Sequence, residues 1–75
     1  MSPRVPVVSG TETIMALGRA GFVKVSQKGS HVKVRRKDGR QAIVPLHDEL
    51  APGTLRSILR QAGISVDEFL RVLKG

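Results

Sequence analysis

The sequence contains no cysteine, tryptophan or tyrosine, and phenylalanine occurs only twice. Without cysteine, the chain can form neither a disulfide framework nor a thiolate metal site, and this composition fits a reducing cytosol. With so few aromatic residues, it does not offer the stacking platform on which many single-stranded RNA binders hold bases. No apolar run approaches the ~20 residues that span a bilayer, and the N-terminus has no signal-peptide pattern. The sequence therefore predicts a soluble, cytoplasmic protein.

Positive charge, by contrast, is abundant and is concentrated in one segment. The 75 residues carry a net charge of +7, and 40% of them are hydrophobic, which suits one small globular domain. Residues 19–40 contain eight Lys and Arg with Asp38 as their single acid, whereas the rest of the chain has five cations and five anions. This segregation indicates a polyanionic partner, for which nucleic acid, an acidic protein and an anionic membrane surface are the open alternatives.

Three segments have the three-to-four-residue period of amphipathic helices. The first begins at a capping box formed by Ser9 and Glu12 and ends at Gly21, which is expected to take the left-handed conformation of a helix stop. The second runs from Thr54 to a similar stop at Gly63, and a second capping box, residues 65–68, starts a short last helix. The predicted inward stripes are Ile14, Leu17, Gly18 and Gly21, then Leu55, Ile58, Leu59 and Ala62, then Val66, Phe69, Leu70 and Leu73.

Between these helices, residues 22–26, 30–37 and 40–44 alternate with the period of two that is typical of β-strands. Residues 27–29 are predicted to form the first turn, and Asp38-Gly39 a type I′ turn, in which both central residues have positive φ. The expected fold is α+β, α-β-β-β-α with a short C-terminal helix and a three-stranded antiparallel sheet. The helices are predicted to pack on one sheet face, over Val23, Val25, Val32 and Val34. Residues 1–8 are predicted to be an extended arm, and residues 9–75 a single domain.

In the middle predicted strand, valines alternate with His31 and basic residues, and this alternation predicts a candidate functional site. If Val32 and Val34 point into the core, His31 and the basic residues that alternate with the valines must share the open sheet face. The face predicted in this way consists of Lys24, Ser26, His31, Lys33, Arg35 and Lys37. Such a face attracts phosphate groups, and a neutral imidazole can accept the proton of an RNA 2′-hydroxyl. The alkoxide can then attack the adjacent phosphorus without a metal, while the cations stabilise the transition state.

Other functions remain open from the residues alone, because a lone histidine on a hairpin is usually a surface polar residue. One alternative is a non-catalytic double-stranded RNA-binding module of the same fold, and another is an interaction module that docks an acidic protein. Duplex binding is disfavoured, since residues 47–53 before the second major helix contain two acids and no Lys or Arg. His47 and Asp48 alone cannot build a metal site, so no metal or other cofactor is expected. His47 is interpreted as a structural residue or a polar group near the site, and a second catalytic residue is the alternative that stays open.

Several short motifs resemble the HicA (YcfA-like) toxin family in order and spacing, over roughly residues 9–73. They are Gly21-Phe22, Lys28-Gly29-Ser30-His31, Asp38-Gly39-Arg40, Val44-Pro45-Leu46-His47 and residues 53–64. The resemblance implies a double-stranded-RNA-binding-domain-like fold and an mRNA interferase, the endoribonuclease toxin of a prokaryotic toxin–antitoxin pair. It also implies that the histidine of the Gly-Ser-His motif, His31, is catalytic, and that Gly29 is needed for the tight turn before the strand.

The same resemblance implies the partners of the protein. These are an mRNA substrate and a HicB-type antitoxin that covers the active face, with DNA contacted only indirectly through the toxin–antitoxin complex. No membrane partner is expected. The sequence therefore predicts one catalytic residue, His31, together with six substrate-binding residues: Lys24, Lys28, Gly29, Ser30, Lys33 and Arg35.

Overall fold

A computed structural model describes residues 4–75, and the first three residues of the predicted arm lie outside the described residues. The elements are α1 (Gly10–Arg19), β1 (Val23–Lys28), β2 (His31–Arg35), β3 (Gln41–Pro45), α2 (Pro52–Ala62) and α3 (Val66–Leu73). The strands form one antiparallel sheet in the order β1-β2-β3, and the helices pack on one of its faces. The predicted α+β fold is confirmed. None of the helices in residues 4–75 has the length and apolar character needed to cross a membrane.

The helix ends follow the predicted capping chemistry. The Ser9 hydroxyl accepts the N–H of Glu12 at 3.0 Å, and the Glu12 carboxylate accepts the N–H of Ser9 at 2.9 Å, which completes a capping box. At α3 only half of the predicted capping box forms: the Ser65 hydroxyl accepts the N–H of Glu68 at 3.0 Å, without a return bond from the Ser65 N–H to the Glu68 carboxylate. Gly21 and Gly63 have φ of 98° and 70°, and they end α1 and α2 as predicted. α2 begins at Pro52, two residues before the predicted start.

The core lies between the helices and the β2–β3 half of the sheet. Its large, fully buried side chains come from all three helices and both strands: Leu17, Leu55, Ile58, Phe69, Val34 and Val44. Thr13 of α1 is also fully buried, and its hydroxyl donates to the C=O of Ser9 at 2.9 Å, which satisfies the polar group. Gly18 and Gly21 are exposed, so their predicted places in the inward stripe are wrong.

The prediction that four valines lie beneath the helices is wrong for β1. Val32 and Val34 are buried, but Val23 and Val25 are 63% and 44% exposed. The register between β1 and β2 shifts between Lys24 and Ser26, which leaves Val25 without a partner in a β-bulge. Counted from the first hairpin loop, the extra residue turns Val23 to the open face. The residues of β1 on the helix side, Lys24 and Gln27, are also exposed, so β1 contributes no side chain to the core.

Both hairpin loops differ from the predicted turns. β1 extends further than predicted, and the first loop is Gly29-Ser30 with a φ of 59° at Gly29, the arrangement of a type II′ turn. In the second loop, the N–H of Arg36 donates to the C=O of Arg40 at 2.9 Å. This bond closes a three-residue loop, residues 37–39, in which only Gly39 has positive φ, 92°. The predicted type I′ turn is wrong because a three-residue loop needs positive φ only at its last residue.

Arg36 ties the second loop to the rest of the domain. Its guanidinium lies 2.8 Å from the Asp38 carboxylate, donates to the C=O of Ala20 at 3.2 Å, and covers the Phe22 ring at 5.2 Å from the centroid. The hydrogen bond from Arg36, together with the backbone N–H of Arg40, holds the pKa of Asp38 below its usual value.

We expect Val34→Ala to lower the free energy of unfolding by about 2 kcal/mol, because it removes buried methyl groups and leaves a cavity. Val23→Ala is the matched control and should change that free energy by less than about 0.5 kcal/mol, since Val23 is largely exposed. Urea denaturation measures both values. Equal losses would place Val23 in the core and contradict the bulged register.

The lowered pKa of Asp38 predicts a pH-dependent contribution to stability. A carboxylate whose pKa is lowered by folding stabilises the fold fully above its unfolded-state pKa of about 3.9, and this contribution is lost as pH falls through the folded-state value. Asp38→Asn removes the titrating group. The difference in unfolding free energy between wild type and D38N, measured by urea denaturation, should therefore be constant from about pH 5 to 7 and shrink below about pH 4. A difference that persists undiminished in strong acid would contradict the ion pair.

Candidate functional site

The open face of the sheet is defined by cross-strand pairs that alternate with the buried residues. Directly opposed residues of an antiparallel sheet point to the same face. Because Val32 and Val34 point towards the helices, the residues between and beside them on β2 point away. The pairs on this open face are Val23–Arg35, Ser26–Lys33 and Lys28–His31 between β1 and β2, and Arg35–Gln41, Lys33–Ile43 and His31–Pro45 between β2 and β3. None of these pairs contains an acidic residue.

His31 is the first residue of β2 and is held by pairing on both sides. Lys28 is its partner on β1, and Pro45 is its partner on β3. One residue further out, the N–H of Leu46 donates to the C=O of Ser30 at 2.7 Å, which continues the pairing of β2 with the β3 side beyond His31. The backbone of His31 is therefore fixed, while its side chain is exposed and accessible to a substrate.

Helix α1 fixes the strand end that pairs with His31. A Cβ atom at Gly10 would overlap the carbonyl oxygen of Pro45, so the helix and the strand approach at a distance that only glycine allows. The N–H of Gly10 also donates to the C=O of His47 at 2.9 Å. This contact was not predicted from the sequence, although a glycine immediately after a helix N-cap could have suggested it.

A shallow depression of about 540 Å³ lies on the open face in front of His31, lined by Ser26, Lys28, His31, Lys33 and Ile43. Ile43, at 45% exposed, and the aliphatic stems of the two lysines give it apolar surface, while the imidazole and the two ammonium groups supply polar groups. Ile43 was not predicted as a site residue. It could have been found only from the register of β3 against β2, which pairs it with Lys33.

The other predicted residues on the His31 side lie near this depression. Gly29 and Ser30 form the turn immediately before His31. Arg35 lies further along β2 on the same face, where its guanidinium donates to the side-chain oxygen of Gln41 at 3.1 and 3.2 Å. A neutral amide leaves the positive charge of Arg35 available to an anion on that face.

The prediction that Lys24 shares the open face is wrong. The β-bulge pairs Lys24 with Val34, whose side chain points to the helix side of the sheet. The Lys24 ammonium group accordingly donates to the side-chain oxygen of Gln27 at 2.6 Å, and Gln27 pairs with Val32 on that same side. Lys24 and His31 therefore lie on opposite faces.

Several other cations of the basic segment have structural contacts. Arg19 donates to the C=O of Val72 at 2.9 Å and Arg40 to the C=O of Gly63 at 3.1 Å, and both contacts join elements that are distant in sequence. Lys37, predicted on a strand, lies in the second hairpin loop. The basic side chains that share the face of His31 are therefore Lys28, Lys33 and Arg35.

The second histidine lies outside the depression. His47 follows β3 and is exposed, and it does not line the space in front of His31. Within residues 4–75, no three His, Cys, Asp or Glu side chains are close enough to hold a metal ion together.

Comparisons with known proteins place these features in a family. Residues 10–64 match a family model described as "HicA toxin of bacterial toxin-antitoxin". A chain in a solved structure, "Toxin-Antitoxin complex from Streptococcus pneumoniae", is 34% identical with a TM-score of 0.66, and the match covers 76% of this chain and 98% of that chain. A search of curated proteins found no match. The residues matched by the family model include His31 and every other residue that lines the depression, and the chain belongs to the HicA family of bacterial toxins.

Proposed function

We propose that this HicA-family protein is a metal-independent endoribonuclease that cleaves mRNA, with His31 as its catalytic base. The observation that carries the proposal is the position of His31 in one depression with Lys28 and Lys33, on a sheet face whose cross-strand pairs contain no acid. An imidazole that can exchange a proton is thereby placed where a phosphodiester would be attracted.

The chemistry uses the substrate's own nucleophile. His31 takes the proton of the RNA 2′-hydroxyl, and the 2′-oxygen forms a bond to the adjacent phosphorus as the bond from phosphorus to the 5′-oxygen breaks. The products are a 2′,3′-cyclic phosphate and a 5′-hydroxyl, whose oxygen receives its proton from the imidazolium or from water. Lys28 and Lys33 stabilise the charge that develops on the phosphoryl oxygens. DNA lacks the 2′-hydroxyl and is not cleaved by this route.

Substrate binding is assigned to the residues on the same side of the sheet as His31. Lys28, Lys33 and Arg35 bind the phosphate backbone, and Gly29 and Ser30 shape the turn that positions His31. Lys24 has no part in this surface, because it lies on the opposite face. The proposed partner is a HicB-type antitoxin, with DNA contacted only through the complex; the toxin–antitoxin title of the Streptococcus pneumoniae neighbour supports this partner.

His31→Ala is expected to lower the rate of single-stranded RNA cleavage by about 10²- to 10⁴-fold, because it removes the general base. The assay contains EDTA, so that any dependence on a divalent metal appears directly. His47→Ala is the matched control, since this exposed histidine lies outside the depression, and it should retain the wild-type rate within about twofold. Equal cleavage by wild type and H31A would refute the assignment, as would loss of wild-type cleavage in EDTA.

The two lysines on opposite faces should differ in their contribution to RNA binding. In the H31A background, which leaves the substrate intact, Lys33→Ala should reduce the slope of log affinity against log salt by about 0.7, the value for one lost contact to single-stranded RNA. Lys24→Ala removes the same charge from the opposite face and should leave the slope unchanged. Fluorescence anisotropy over a salt series measures both slopes, and an equal reduction in the two variants would contradict the proposed binding face.

A further inference from the structure

The two edges of the sheet differ in whether their outward backbone groups are hydrogen-bonded within the chain. On the outer edge of β3, the N–H of Ile43 donates to the side chain of Gln61 on α2 at 3.1 Å, so this edge is protected from within the chain. The outer edge of β1 has no such protection: all six residues from Val23 to Lys28 are exposed, and no residue in 4–75 hydrogen-bonds to that side of the strand. An open strand edge of this kind is a template for another strand.

The register shows which backbone groups of β1 point outwards. The hydrogen bond from Leu46 N–H to Ser30 C=O makes His31 and Pro45 a non-hydrogen-bonded pair, so the N–H and C=O of His31 point towards β1. Lys28–His31 is then a hydrogen-bonded pair, and the next pair, Gln27–Val32, is not. The N–H and C=O of Gln27 therefore point away from the sheet.

The backbone groups and the charge of this edge indicate which kind of partner can bind there. It offers both backbone donors and acceptors, which an extended polypeptide satisfies and an RNA phosphate, an acceptor only, does not. β1 carries Lys24 and Lys28, and residues 22–37 contain no acid. Pairing with β1 of a second copy would place two basic strands without acids side by side, which like-charge repulsion disfavours. An extended segment that carries Asp or Glu pairs favourably with these lysines instead.

We propose that the outer edge of β1 is a docking site for an extended acidic segment of the antitoxin, which adds a fourth strand to the sheet. This inference rests on the proposed antitoxin partner and specifies where it binds. Ser26 and Lys28 belong both to β1 and to the depression in front of His31. A strand added beside them places acidic side chains at the rim of the depression, where they compete with RNA phosphates for Lys28.

The experiment compares Gln27→Pro with Gln27→Ala. Both variants lose the side chain, which donates to the C=O of Gly29 at 3.0 Å, but only Q27P removes the outward N–H. Proline is tolerated on a strand edge whose N–H faces solvent. The probe is the protein encoded by the reading frame adjacent to the toxin gene. We expect Q27P to bind it at least about tenfold more weakly than Q27A, and Q27A to bind within about threefold of wild type.

Amide hydrogen exchange of the wild-type protein supplies a second measurement, which does not depend on the folding of Q27P. The Gln27 amide should exchange more slowly in the complex than in the free toxin. Equal affinities of Q27P and Q27A, an unchanged Gln27 amide in the complex, or failure of the two proteins to associate would each overturn the docking site. RNA cleavage by the free toxin tests the proposed enzyme activity separately, because Gln27 lies on the face opposite the depression.

Discussion

The burial of Val32 and Val34 in the central strand is the constraint on which the site depends. With these two side chains beneath the helices at 2% and 0% exposure, the period of two requires His31, Lys33 and Arg35 to emerge together on the other face. A shift by one residue would bury the cations and expose the valines. The packing that stabilises this small domain therefore also places its imidazole beside its phosphate-attracting groups.

The basic residues of the chain fall into two groups that make different contacts. Arg19, Arg36 and Arg40 donate to backbone carbonyls and join helices to loops, so part of the basic segment contributes to the fold. Lys28 and Lys33 line the depression with His31 and are available to a ligand. Net charge alone could not distinguish the two groups, because both lie within residues 19–40.

Much of the fold could be predicted from local sequence. The first capping box, the two glycine stops and the alternation of β2 depend on interactions within a few residues, and the structure confirms them at Ser9, Gly21, Gly63 and Val34. The bulge at Val25 could not be predicted, because Val23 and Val25 alternate as a buried strand would and only pairing with β2 reveals the extra residue. Lys24 was predicted on the wrong face of the sheet for the same reason. Ile43 and Gly10 were missed because their importance depends on contacts between elements.

Whether RNA binds on the sheet face of His31 is tested most directly by an NMR titration of the isotopically labelled toxin with a 2′-O-methyl RNA, which keeps the phosphates but lacks the attacking hydroxyl. The ring signals of His31, the Cε signal of Lys33 and the δ-methyl signal of Ile43 should shift together, while the Cε signal of Lys24 should not. Shifts at Lys24 without shifts at Lys33 and His31 would place the RNA on the opposite face and contradict the proposed binding surface.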